Sequence, residues 1–157
     1  MIDSEEIEKK AQEFGLSPQE VEKDYVYGWL LKGIYSESDL GNSLVLKGGS
    51  ALRKAYLPNT RYSKDLDFSI AGEMNQQVLL DELNKVCKYI EGKTGIQFRT
   101  EDTRVRDKGL AIPDVNAVEA RVYFKGFYNE ECFPLKAQMD VTQFDKIHLG
   151  VHPRILL

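Results

Sequence analysis

Asp65-Leu66-Asp67 is the first place along this chain where residue type and spacing could do chemistry. The segment 65–70, DLDFSI, alternates polar and apolar residues and reads as a strand. Side chains two apart on a strand share a face. Asp65, Asp67 and Ser69 therefore project together, and Leu66, Phe68 and Ile70 turn toward a core. Two carboxylates side by side on a rigid strand repel unless a cation joins them. Mg²⁺ (or Mn²⁺) suits the position, because it takes hard oxygen ligands and keeps coordination places open for phosphate oxygens. Asp-x-Asp alone is also a common solvated surface feature, so the pair needs support from elsewhere.

The segment 136–142, KAQMDVT, supplies it. Lys136, Gln138, Asp140 and Thr142 fall on one face and Ala137, Met139 and Val141 on the other. If both apolar faces pack on one core, Asp140 projects on the same side as Asp65 and Asp67. Neighbouring strands lie roughly 4.8 Å apart, so the three carboxylates should approach within about 4–7 Å. That is close enough for ions spaced roughly 3.5–4 Å apart. Without metal, such crowding should raise at least one carboxylate pKa. Asp140→Asn should then leave the ion-free protein as stable as before, or more so. Asp145 and Glu119 are the reserve candidates for the third acid.

Gly48-Gly49-Ser50 lies between a short strand, 44–46, and a helix expected over 51–56. Glycines let backbone N–H groups approach a phosphate, and a helix N-terminus favours anions. The Ser50 hydroxyl could donate to a phosphate oxygen. The spacing is not that of a P-loop. Arg61, Ser63 and Lys64, between this turn and the carboxylates, are further phosphate ligands by position.

The elements that must hold these residues can be read in outline. Residues 2–14 form an amphipathic helix closed by Gly15. Ser17, Pro18 and Glu20 open a second helix that runs to about Tyr35, with Val21, Tyr25, Trp29, Leu30 and Ile34 on its apolar face. A helix over 76–91 and strands over 96–105, 117–127 and 135–143 follow. The order α-α-β-α-β-α-β-β-β is α+β (mixed α/β), with a sheet of about five strands and antiparallel late strands. Composition is that of an ordinary globular chain, 42% hydrophobic and 29% charged, with a net charge of −4. That balance gives no bulk attraction to nucleic acid. Basic clusters occur at Arg53, Lys54, Arg61 and Lys64, and at Arg99, Arg104, Arg106 and Lys108; the second reads chiefly as solvated surface. No apolar run is long enough to span a membrane. Cys87 and Cys132 read as reduced thiols of a cytoplasmic protein. His148 and His152 do not read as a metal pair, because Gly150 and Pro153 oppose a helix there.

KGGSALRKAY followed by RYSKDLDFSI resembles the AbiEii/AbiGii toxin family of nucleotidyltransferases, within the superfamily of DNA polymerase beta. Gly49-Ser50, Asp65, Asp67 and Asp140 fill the places of that superfamily's signature, and EKDYVYGWLLKGIY looks like the family's N-terminal helix. The resemblance covers about residues 16–145. It implies a mixed sheet flanked by helices, a metal-dependent reaction on an NTP, and nucleotide contacts from the Lys47–Ser50 segment. It also implies RNA, notably the tRNA acceptor end, as an acceptor, and a cognate antitoxin as partner. Family members usually continue into a helical C-terminal region with a lysine thought to contact nucleotide, and no motif after Asp145 fills that place. The expectation is a catalytic core, 1–157, without that region, and an exposed apolar surface near Ile155-Leu156-Leu157. A non-catalytic nucleotide- or antitoxin-binding fragment and a metal-dependent phosphohydrolase are the alternatives.

Overall fold

Helix starts are set by local chemistry. In the computed structural model, which describes residues 2–57, 61–109, 116–126, 134–146 and 150–155, helix α1 (Ser4–Phe14) begins where the Asp3 carboxylate accepts from Glu6 N–H. Helix α2 (Pro18–Glu37) opens with the expected capping box: Ser17 accepts from Glu20 N–H and Glu20 accepts from Ser17 N–H. Pro18, with its fixed φ and no N–H to lose, sits in the first turn. Helix α4 (Gln76–Thr94) starts at Asn75, whose side chain accepts from the N–H groups of Gln77 and Val78. Both α2 and α4 run two to three residues past their expected ends.

Five strands form one sheet: β1 (Val45–Lys47), β2 (Leu66–Ser69), β3 (Arg104–Asp107), β4 (Ala117–Phe124) and β5 (Leu135–Thr142). Their spatial order is β1-β2-β5-β4-β3. Only β2 and β5 run parallel; the other neighbours are antiparallel. The fold is thus mixed α+β, as the element order predicts. One expected strand, 96–105, is broken. Phe98 makes a single bridge to Phe124, Thr100–Asp102 turn in a 3₁₀ helix, and β3 starts only at Arg104. The Thr100-Glu101-Asp102 run, polar and turn-prone, interrupts the pairing.

One face of the sheet is core. Leu66 and Phe68 from β2, Val118, Ala120, Val122 and Phe124 from β4, and Ala137, Met139 and Val141 from β5 pack with Leu30, Leu31 and Ile34 of α2 and Leu83, Val86 and Ile90 of α4. Each large side chain so buried contributes roughly 1.5–3 kcal/mol. The two helices touch at Gly33, where a Cβ would stand 2.6 Å from Val86 Cγ1. Trp29 is half-buried against this core, edge-on to Tyr25, as expected of a structural residue. Cys87 is fully buried, and burial pushes its thiol up to about 12; Cys132 lies outside the described residues. Residues 150–155 are not helical, as Gly150 and Pro153 lead one to expect, and His148 is outside the described set. Among the described residues no helix is long and apolar enough to cross a membrane.

Candidate active site

The opposite face of the sheet carries charge. Reading across the register, Lys47 on β1 stands beside Asp67 on β2, then Asp140 on β5, Glu119 on β4 and Arg106 on β3. Strand alternation puts every one of these on the face away from α2 and α4. Asp65 lies one residue before β2 rather than within it, yet still reaches the same place. One carboxylate oxygen from each of Asp65, Asp67 and Asp140 lies within 4.8 Å of the other two, and no other such trio converges among the described residues.

The three acids have different surroundings. Asp67 has the strained position: partial burial, then the charges of Asp65 and Asp140, push its pKa above the ordinary value, against the pull of Lys47 and Lys108. Asp140 also has a cation of its own. Lys108 Nζ lies 2.8 Å from its Oδ2, and Gln138 Nε2 lies 3.5 Å from the same oxygen. Its other oxygen, Oδ1, is buried and meets no hydrogen-bond donor among the described residues. An orphaned carboxylate oxygen in a cluster of three acids is a place a cation fits, so the donor set suits a hard divalent ion. Asp65 is fixed through its backbone: its carbonyl accepts from both Ser50 Oγ at 2.7 Å and Ser63 Oγ at 2.9 Å.

The glycine segment is built differently from the expected separate turn. Helix α3 (Gly48–Ala55) follows β1 directly. Gly48 makes the change of direction in one residue, at φ +69°, and a Cβ there would come 2.6 Å from Asp67 Oδ2. Glycine is therefore required twice over, for its left-handed backbone and for the closeness of a carboxylate. Lys47, the N-cap, supplies no side-chain cap to the first N–H groups of α3. Ser50 is buried, and its one hydroxyl proton is committed to the Asp65 carbonyl. In this arrangement it positions Asp65 rather than facing outward for a phosphate. Lys47 is likewise engaged, donating to Thr142 Oγ1 at 2.8 Å and Asp145 Oδ2 at 2.9 Å. Arg61 and Lys64 are exposed, in the segment that leads to Asp65.

The reserve acids have other work. Glu119 is buried between Arg106 and Arg121, both 2.8 Å from its Oε1; burial alone would raise its pKa, but the two guanidiniums hold it low. Asp145 is held low by the Ser69 hydroxyl and the Lys47 ammonium. In the first basic cluster, Arg53 and Lys54 pair with Asp24 of α2 rather than facing solvent.

Two residues were given no site role by sequence, Lys108 having been read only as part of a solvated basic cluster. Tyr27, fully buried on α2, donates its hydroxyl to Lys64 O at 2.7 Å and accepts from Gln138 N at 3.4 Å. It ties the loop leading to Asp65 onto β5, two residues from Asp140, and burial pushes the phenol up to about 12. Its signal in the sequence was only an aromatic on a helix. Lys108 had a clearer one, since it continues the alternation of Arg104 and Arg106 beyond β3.

A mixed sheet with one helix-covered face and three acids on the other is a nucleotidyltransferase-like fold, and solved structures agree. A chain from H. pylori that carries a nucleotidyltransferase assignment superposes with TM-score 0.56 at 21% identity, over 90% of this chain and 55% of that one. The structure of JHP933 from Helicobacter pylori gives TM-score 0.57, also at 21% identity, over 90% of this chain and 53% of that one. This chain thus spans little more than half the length of either. Residues 29–147 match the family described as nucleotidyl transferase AbiEii toxin, type IV TA system, and the chain belongs to that family. No curated protein matches it significantly.

Proposed function

We propose that this chain is the catalytic core of a divalent-metal-dependent nucleotidyltransferase that moves a nucleotide from an NTP onto an acceptor. The observation that carries the reading is the convergence of Asp65, Asp67 and Asp140 beside the Gly48-Gly49 start of α3. A bound Mg²⁺ or Mn²⁺ supplies neutralisation of the triphosphate and activation of the attacking oxygen. The chain's own residues do the rest. Asp65, Asp67 and Asp140 present the ligand oxygens. Ser50 and Ser63 fix the Asp65 backbone. The N–H groups of Gly48 and Gly49 offer a phosphate cradle at the positive end of α3, with Lys47 at its mouth. Arg61 and Lys64, exposed in the segment that leads to Asp65, attract the triphosphate or the acceptor.

The family description, a toxin of a type IV TA system, supports a toxin role with a cognate antitoxin. An RNA acceptor such as tRNA and action in the cytoplasm complete the proposal as expectations from the sequence resemblance. The test is transfer of label from α-labelled NTPs onto total RNA, with Mg²⁺ and with chelator. Mg²⁺-dependent incorporation that Asp67→Asn abolishes supports the reading. Nucleotide binding without transfer would favour a binding module, and phosphate release without transfer a phosphohydrolase.

A further inference from the structure

Lys108 is the one cation in direct contact with the three acids among the described residues, and it stands where a metal would act. Its backbone N–H donates to Ala117 O at 2.7 Å, so the residue is anchored at the end of the β3–β4 pairing. In register Ala117 faces Thr142, next to Asp140 on the same face of β5. From there Lys108 Nζ reaches Asp140 Oδ2 on β5, two strands away from β3. The ion pair is largely sheltered, with side chains 23% and 16% exposed.

A divalent cation on the orphaned Asp140 Oδ1 and an ammonium ion on Oδ2 of the same carboxylate repel each other as like charges. The cation brings twice the charge to the same three acids, and so favours departure of the ammonium from Asp140 Oδ2. Its flexible four-carbon stem keeps it at the site. The charge then needs another partner, and a polyphosphate held by the ion would supply one of suitable sign. Lys47, whose charge also acts on Asp67, is already engaged with Asp145.

We infer that Lys108 is an exchange residue. It neutralises Asp140 in the ion-free protein, yields that carboxylate to the incoming cation, and becomes a triphosphate contact. The inference rests on the metal-dependent reading above, and its test separates the two. Mn²⁺ and inorganic tripolyphosphate, the part common to every NTP, serve as probes in calorimetric titrations of wild type, Lys108→Met, Lys108→Arg and Asp140→Asn. Lys108→Met is expected to bind Mn²⁺ about tenfold more tightly than wild type, and tripolyphosphate with Mn²⁺ about tenfold more weakly, the scale of one charge-assisted hydrogen bond. Lys108→Arg should stay near wild type in both, and Asp140→Asn should lose Mn²⁺ binding. Should Asp140→Asn lose Mn²⁺ while Lys108→Met shows either affinity unchanged or shifted in the opposite direction, the exchange role is wrong and the metal site stands. Absence of Mn²⁺ binding by wild type and Lys108→Met alike would overturn the metal reading and the exchange role together.

Discussion

Asp67 and Asp140 face each other in register, but only Asp140 has its own cation. Removing Asp140 relieves the repulsion it exerts on Asp67, but Asp140→Asn also costs Lys108 its ion pair. We predict that it lowers the stability of the ion-free protein by about 1–2 kcal/mol in denaturant titration. Relief belongs to Asp67, whose pKa burial and its acidic neighbours raise. A carboxyl with a raised folded pKa favours folding only when protonated. Its penalty is absent below the unfolded value and develops as pH rises through the folded one. Asp67→Asn should thus raise the thermal midpoint of the ion-free protein at pH 7, and the gain should vanish as the pH falls below the ordinary carboxylate range. A gain that persists there would mean that charge is not its cause. Ser50→Ala removes one of two hydroxyl donors to the Asp65 carbonyl. The expected cost is about 1 kcal/mol, with weaker Mn²⁺ binding because Asp65 is less firmly held; an unchanged Mn²⁺ affinity would deny Ser50 that positioning role.

At the scale of elements, two junctions set the site. Gly48 turns β1 into α3 within one residue and lies against Asp67. Gly48→Ala should cost about 1–2 kcal/mol from the left-handed backbone alone, more once Asp67 is displaced. Urea unfolding checks the cost and Mn²⁺ titration the displacement. Tyr27→Phe keeps the ring in the core but cuts the tie from Lys64 O to Gln138 N. It should leave the fold intact, cost about 1–1.5 kcal/mol, and weaken metal binding, which a purely structural ring would not affect. These junctions also mark what the sequence could disclose. Alternation in 65–70 and 136–142 placed Asp67 and Asp140 on polar faces, and glycine spacing placed the start of α3 nearly correctly. The pairing of β2 with β5 was not legible as a parallel one, because α4, β3 and β4 intervene and alternation carries no strand direction. Tyr27 was hidden because a tyrosine on a helix reads as core, and its hydroxyl partners come from distant segments. Lys108 was hidden because a lysine beyond a strand reads as solvated until the strand two places away is known.

Across the whole molecule, the two sheet faces divide the labour. Helices α2 and α4 cover one and give it its stability; the other bears the row Lys47, Asp67, Asp140, Glu119 and Arg106. Positive ends and an acidic middle concentrate cations at the centre of a chain whose net charge is −4. Elsewhere, Leu52 and Tyr56 of the α3 region and Val151 and Ile155 are exposed apolar side chains, and a cleft of about 600 Å³ runs beside them, lined by Tyr56, Val151 and His152. Exposed apolar surface near Ile155 was expected; Leu156 and Leu157 lie outside the described residues. The central claim is that acids about 75 residues apart in sequence make one cation site. Anomalous diffraction from crystals soaked in Mn²⁺ measures it directly. The account predicts a manganese peak bound by Asp65, Asp67 and Asp140, with Lys108 Nζ withdrawn from Asp140. A site free of manganese, with the Lys108–Asp140 pair intact at saturating Mn²⁺, would contradict it.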